Sequence, residues 1–196
     1  MAGFTDRQVQ IMEAATGRIS KFGIQNLTIK TLAEDVGLSE PALYRHFKSK
    51  NEILSSLLEY FKREMETRIG SIAFKSTDTS GDELREIFNS QLQTFKNKPA
   101  IVSVIFEESI FHFDENLSSK VAGIIELMQN YVKANISKGQ KNGHYSKLVN
   151  SETLTTIILG GIRLTVLKWK LSGFKSNLVK EGKLVLEGIL KMIENK

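Results

Sequence analysis

The sequence predicts an all-α fold of about nine helices, and three observations carry that expectation. Apolar residues recur at three- and four-residue spacing through nearly the whole chain, the interval that lines one face of a helix. Runs that alternate apolar and polar residues, the mark of a half-buried strand, are absent. Only two prolines occur in 196 residues, Pro41 and Pro99, so little interrupts helical backbone. A chain of this length buries a substantial core, in one domain or in two small parts that share helices.

Thr5 and Gln8 form a capping box, and Ile11, Ala15, Ile19 and Phe22 make the stripe of a first helix over about 6–22, stopped by Gly23. Thr28 caps a two-turn second helix whose inward residues are Leu32, Ala33 and Val36. Gly37 closes it, because glycine takes the positive φ of a tight turn without strain. Ser39 caps a third short helix, where Pro41 is tolerated because first-turn amides have no intrahelical acceptor to lose. Leu43 and Phe47 point inward at i,i+4, which sends Pro41, Ala42, Tyr44, Arg45 and Lys48 outward or sideways. Ser49 with Glu52 opens a long fourth helix along Ile53, Leu57, Phe61 and Met65.

Residues 76–82, rich in Ser, Thr, Asp and Gly, read as the clearest loop. Helix 5 follows at about 82–96, a break at 97–99, helix 6 at about 100–112 and a long helix 7 at about 115–140. A polar loop over 139–147 precedes helix 8 (about 151–172), and Ser172-Gly173 separates that from helix 9 (about 176–194).

The chain has no cysteine, which excludes disulfides, thiolate metal sites and redox motifs. Its N-terminus enters an amphipathic pattern directly, without the apolar core of a secretory signal. The most apolar window, Leu154 to Leu171, carries Arg163, Lys168 and Lys170, too polar for a membrane span of ~20 residues. The expectation is a cytoplasmic protein with no membrane contact. The formal net charge is +5, but residues 1–65 hold 9 basic and 8 acidic side chains, whereas residues 138–196 hold 11 and 4. Global charge is therefore weak support for nucleic-acid binding. The local stretch Tyr44 to Asn51 is stronger, because no acid there offsets Arg45, Lys48 and Lys50.

Two short helices joined by a glycine turn, the second opened by a serine cap and carrying Tyr and Arg outward, have the layout of a DNA-reading helix-turn-helix. The stretch Leu27 to Leu54, LTIKTLAEDVGLSEPALYRHFKSKNEIL, closely resembles the signature of the TetR family, and the resemblance covers about residues 5–62. It implies about nine helices, a homodimer made through the last two, and a ligand pocket in the middle helices. On that basis residues 5–65 form the DNA-binding domain and 66–196 the effector-binding and dimerisation domain.

The resemblance also implies roles. Thr28 would cap helix 2 and donate to a phosphate of double-stranded DNA, Tyr44 and His46 would contact its backbone, and Lys50 would sit over a phosphate. Ser39, Glu40, Pro41, Ala42 and Arg45 occupy positions from which relatives read or abut bases. At Pro41 the chain departs from the glycine of many members. Arg45 is the best candidate for a direct base contact, since a guanidinium bonds guanine O6 and N7 as a pair. Glu40 either accepts from cytosine N4 or favours the helix dipole. The segment Ser39 to Phe47 is also similar to that of a nucleoid-occlusion member of the same family.

Helices 5 to 7 are rich in aromatic residues, with Phe88, Phe95, Phe106, Phe111 and Phe113, and with Met128 and Tyr131 on helix 7. Such residues are more often plain core than pocket. Together with the resemblance they nominate an apolar or amphipathic effector, for which the candidates are Phe88, Phe95, Phe106, Phe111, Met128 and Tyr131. Helix 9 has two apolar stripes, one through Leu178, Gly182, Val185 and Ile189, and helix 8 has Gly160-Gly161. These are the candidates for a self-complementary dimer interface. The C-terminal basic excess, including Lys168, Lys170, Lys175, Lys180 and Lys183, is either a solvated face or an attractor for an anionic effector such as an acyl-CoA. No cofactor is implied and no enzyme is expected. The histidines His46, His112 and His144 fit no catalytic or zinc pattern. Glu108 and His112, with Glu107, Asp114 and Glu115 nearby, leave a metal-binding helical bundle as a remote alternative.

Overall fold

The structure, a computed structural model, describes residues 3–75, 80–106 and 114–195. Among these residues run nine α-helices and no strand: α1 (Asp6–Phe22), α2 (Ile29–Asp35), α3 (Glu40–Tyr44), α4 (Lys50–Lys75), α5 (Ser80–Asn97), α6 (Pro99–Ile105), α7 (Glu115–Lys141), α8 (Ser151–Leu171) and α9 (Leu178–Ile193). The fold is all-α, as the periodicity required. A 3-10 turn at Ile24–Asn26 was not expected; it is too short to show a period.

Helix starts follow the capping logic. The Thr5 hydroxyl accepts from the Gln8 amide and the Gln8 side chain reaches back to Thr5, closing the expected box. Thr28 and Thr31 close a second one at α2. At α4 the box is altered: Ser49 Oγ accepts from Glu52 N, but the Glu52 carboxylate takes the amide of Lys48 instead. Asn150 and Asn177 cap α8 and α9 through Thr153 N and Lys180 N.

The described residues fall into two contact units. The first runs to Lys62 and takes in Lys98–Ala122, so α6 and the start of α7 pack with the N-terminal helices. Its centre is α1, whose Ile11, Met12, Ala15 and Ile19 are buried, and α1 lies against α6, whose Ala100, Ile101 and Val104 are buried too. Phe22 does not join that stripe. It is 55% exposed at the C-terminal end of α1, under the Arg18 guanidinium, while Met12 fills the stripe beside Ile11. Polar contacts run between α4 and α7: Asn51 donates to Asp114 Oδ2 at 2.7 Å, Asn116 to Ser55 Oγ at 3.1 Å, and Lys120 pairs with Glu59 at 2.5 Å.

The second unit comprises Arg63–Asn97 and the chain from Gly123 onward. Here α9 packs on both α5 and α8. Two glycines permit the close approach: a β-carbon on Gly182 would fall 2.5 Å from Leu92 Cδ1, and one on Gly161 3.2 Å from Val185. Arg85 on α5 fastens α9, with Nε 2.7 Å and Nη2 3.0 Å from the two Glu187 carboxylate oxygens and a further bond to Glu194. These carboxylates raise the Arg85 pKa, and Arg85 holds that of Glu187 below its ordinary value. The chain end is laced to the α7–α8 connection, where Ser146 N donates to Ile193 O and Asn195 N to His144 O. The Tyr145 ring lies buried on Gly139.

Candidate nucleic-acid interface

The turn between α2 and α3 is built by backbone that only certain residues supply. Gly37 has φ +64°, and the Leu38 amide donates to Ala33 O at 2.9 Å, which redirects the chain into the Ser39 cap. Ser39 Oγ then accepts from Ala42 N at 3.3 Å, and Leu43 and Phe47 are buried. The short α3 is thereby fixed from below, with its other face free.

Helix α1 clamps both helices of the pair. Arg18 makes two bonds to the Asp35 carboxylate at the end of α2, at 2.5 and 2.8 Å. Arg7 Nη2 donates to Val36 O at 3.2 Å, and Gln8 Nε2 to His46 O at 3.4 Å. The pairing lowers the Asp35 pKa and raises that of Arg18, chiefly through their hydrogen bonds. Sequence reasoning missed Arg7, Arg18 and Asp35, because contacts this far apart in the chain leave no local signature.

Ser39, Glu40, Pro41, Tyr44, Arg45 and Lys48 are exposed, with Tyr44 at 49%. The Arg45 guanidinium makes no ion pair with a described residue. Thr28 is exposed at the start of α2, its hydroxyl engaged with Thr31, and His46 is half-buried. One expectation needs correction. Ala42 is turned inward, only 8% exposed, since it follows the serine cap on the side of Leu43. At the start of α4 the Lys50 ammonium donates to Ile24 O at 2.8 Å, and burial lowers its pKa.

Of the effector candidates, Phe88, Phe95 and Met128 are buried in the second unit, Tyr131 is half-buried there, and the half-buried Phe106 belongs to the first. Phe111 lies outside the described residues, as do Phe113, Glu107, Glu108 and His112. Among the described residues no group of three or more acids and histidines is placed to hold a metal. No described helix is long and apolar enough to cross a membrane.

The dimer candidates divide. Leu178, Gly182 and Ile189 are buried within the chain, because α9 turns that stripe toward α5 and α8, and Val185 lies against Gly161. Gly160 is exposed with open space beside it. Its neighbours on the outer face of α8 are Ile157, Leu164, Leu167 and Leu171, and α9 exposes Leu184 and Met192.

The comparisons agree with this geometry. The family model for bacterial regulatory proteins of the tetR family matches residues 11–57, which span the Arg18–Asp35 pair, the turn and the start of α4. A nucleoid occlusion factor SlmA from Alteromonas mediterranea is 30% identical over 129 residues, 66% of this chain and 66% of that protein. The fatty acid degradation regulator FadR from Bacillus halodurans has a similar fold, with a TM-score of 0.85 at 19% identity over 96% of this chain and 97% of that one. So has the regulator FadR from Bacillus subtilis, solved in complex with stearoyl-CoA: TM-score 0.77, 22% identity, 93% of this chain and 97% of that one. The chain belongs to the TetR family of DNA-binding bacterial regulators.

Proposed function

We propose that the chain is a homodimeric repressor that occupies a pseudo-palindromic operator and leaves it when a small apolar or amphipathic effector binds. The observation that carries this reading is the exposed face of α3, where Tyr44, Arg45 and Lys48 stand around a capped helix start. Arg45 reads a guanine in the major groove, while Thr28, Tyr44, His46 and Lys48 hold phosphates. The protein acts by binding, with no catalytic step.

A second copy covers the outer face of α8 and α9. Ile157, Gly160, Leu164, Leu167 and Leu171 recur at three- and four-residue intervals, and Leu184 and Met192 continue the apolar surface on α9. A seam of this spacing fits a twofold helix pair, which places two reading helices at one helical turn of DNA or a small multiple of it. The interior aromatics Phe88 and Phe95, and the stearoyl-CoA bound by the Bacillus subtilis regulator, support an amphipathic effector. The switch is a shift of population toward a spacing that cannot dock, so the effector must prefer that state by several kcal/mol.

Selecting binding sites from fragmented host DNA with the purified protein tests this. One or two palindromic sites beside promoters are expected. The likeness to a nucleoid occlusion factor favours a second reading, DNA binding in nucleoid occlusion, and many sites scattered over the chromosome would establish it instead.

A further inference from the structure

The Asp114 carboxylate serves two helices of the first unit at once. Its Oδ1 accepts from the Leu117 amide at 3.0 Å, which makes Asp114 the cap of α7, and its backbone carbonyl accepts from Ser118 N at 3.0 Å. Capping uses one carboxylate oxygen. The other, Oδ2, accepts from Asn51 Nδ2 at 2.7 Å, on the first turn of α4 and 63 residues away in the chain.

Two further contacts continue along the same pair of helices. Ser55, 9% exposed, accepts from Asn116, and Glu59 pairs with Lys120. Asn51, Ser55 and Glu59 recur every fourth residue and so share one face of α4. Their partners rise in number in the same order, so α4 and α7 run side by side in one direction from their first turns. Asp114 makes the first of the three ties.

The first turn of α4 braces more than its own helix. The Lys48 amide donates to the Glu52 carboxylate, which fixes the backbone that carries Lys48. Lys50 Nζ donates to Ile24 O, in the turn that leads through Leu27 to Thr28. Resting on the assignment of Lys48 and Thr28 to phosphates above, we propose that Asp114 is a positioning residue for DNA binding. It acts through Asn51: its second oxygen holds the first turn of α4 against α7, and so fixes where Lys48 and Thr28 meet the duplex. An ionised acceptor makes this tie stronger than a neutral one would be.

The test compares Asp114→Ser, Asn51→Ala and the double variant with the native protein, on a labelled duplex carrying a site that the native protein selects. Serine still caps α7 but is too short to reach Asn51. The melting temperature of Asp114→Ser is therefore expected to stay near the native value, whereas Asp114→Ala lowers it. Removal of an acid by itself strengthens binding to a polyanion. Asp114→Ser is expected to do the opposite, weakening DNA binding about threefold to tenfold, the range of one hydrogen bond. It is also expected to lower the slope of log affinity against log salt, as Lys48→Met does. Asn51→Ala is expected to show the same loss, and the double variant no further loss, because both substitutions break one bond.

Native or tighter binding by Asp114→Ser, a native salt slope, or losses that add in the double variant would overturn the inference. If Asp114→Ser does not fold, native affinity in Asn51→Ala overturns it by itself. Lys48→Met, run beside these, separates the two levels of the account. A native slope there refutes the phosphate assignment and the inference with it, whereas an altered slope there with native behaviour in Asp114→Ser refutes the positioning role alone.

Discussion

Arg18 and Asp35 join α1 to the end of α2 through two hydrogen bonds, Nε to Oδ2 at 2.5 Å and Nη2 to Oδ1 at 2.8 Å. The planar guanidinium matches the carboxylate edge to edge, so the pair fixes an angle as well as a distance. Because α2 leads through Gly37 into α3, this contact sets the platform from which α3 projects.

Asp35→Asn keeps the shape but removes the charge. The melting temperature should fall by about 1–3 °C, the modest value of a largely exposed pair. DNA affinity should fall further than stability does, because α3 loses its fixed direction. Calorimetry and fluorescence anisotropy on one preparation compare the two losses.

Arg85 gathers Asp82, Glu187 and Glu194, so Arg85→Ala should remove the cation that these three carboxylates share and lower stability. Arg85→Lys should rescue only part of the loss, since an ammonium cannot span both Glu187 oxygens. The sign with pH follows from Glu187, whose pKa is depressed in the folded protein from an ordinary 4.5. Its stabilisation is complete above that ordinary value and is lost as the pH falls through the depressed one. Urea titrations of the native and Arg85→Ala proteins should therefore differ most near neutrality and converge in acid.

Lys50 and Lys48 should behave oppositely despite their proximity in sequence. Lys48→Met should reduce the slope of log affinity against log salt by about one, the signature of a lost phosphate contact. Lys50→Met should leave that slope unchanged and instead lower stability, because its ammonium serves the Ile24 carbonyl. A phosphate role for Lys50 would appear as a slope change with unaltered melting.

Leu164→Glu, on the exposed face of α8, should convert the proposed dimer to a folded monomer in sedimentation experiments. Leu178→Ala should cost about 2–5 kcal/mol of folding stability without a specific effect on association, since Leu178 is 1% exposed inside the chain.

These contrasts show where sequence was informative. Local devices were legible because their geometry lies within a few residues: the Thr5 and Thr28 caps, the Gly37 turn, and the inward Leu43 and Phe47. Faces were harder to assign. Helix α9 carries two apolar stripes side by side, so periodicity alone could not tell which of them meets α5 and α8. Leu178, Gly182 and Ile189 lie inward, and Leu184 and Met192 outward. Long-range polar contacts, such as Arg18 with Asp35 and Lys50 with Ile24, have no periodicity at all.

The central claim is that Arg45 on α3 reads sequence. The direct measurement is a comparison of native protein and Arg45→Ala on the selected site and on variants with each guanine replaced in turn. For the native protein, one guanine per half-site should cost about 1–3 kcal/mol when replaced. For Arg45→Ala, that same replacement should cost nothing further, while the other positions keep their penalties. If Arg45→Ala keeps the full pattern of base preferences, α3 does not read DNA through Arg45 and the assignment of the interface is wrong.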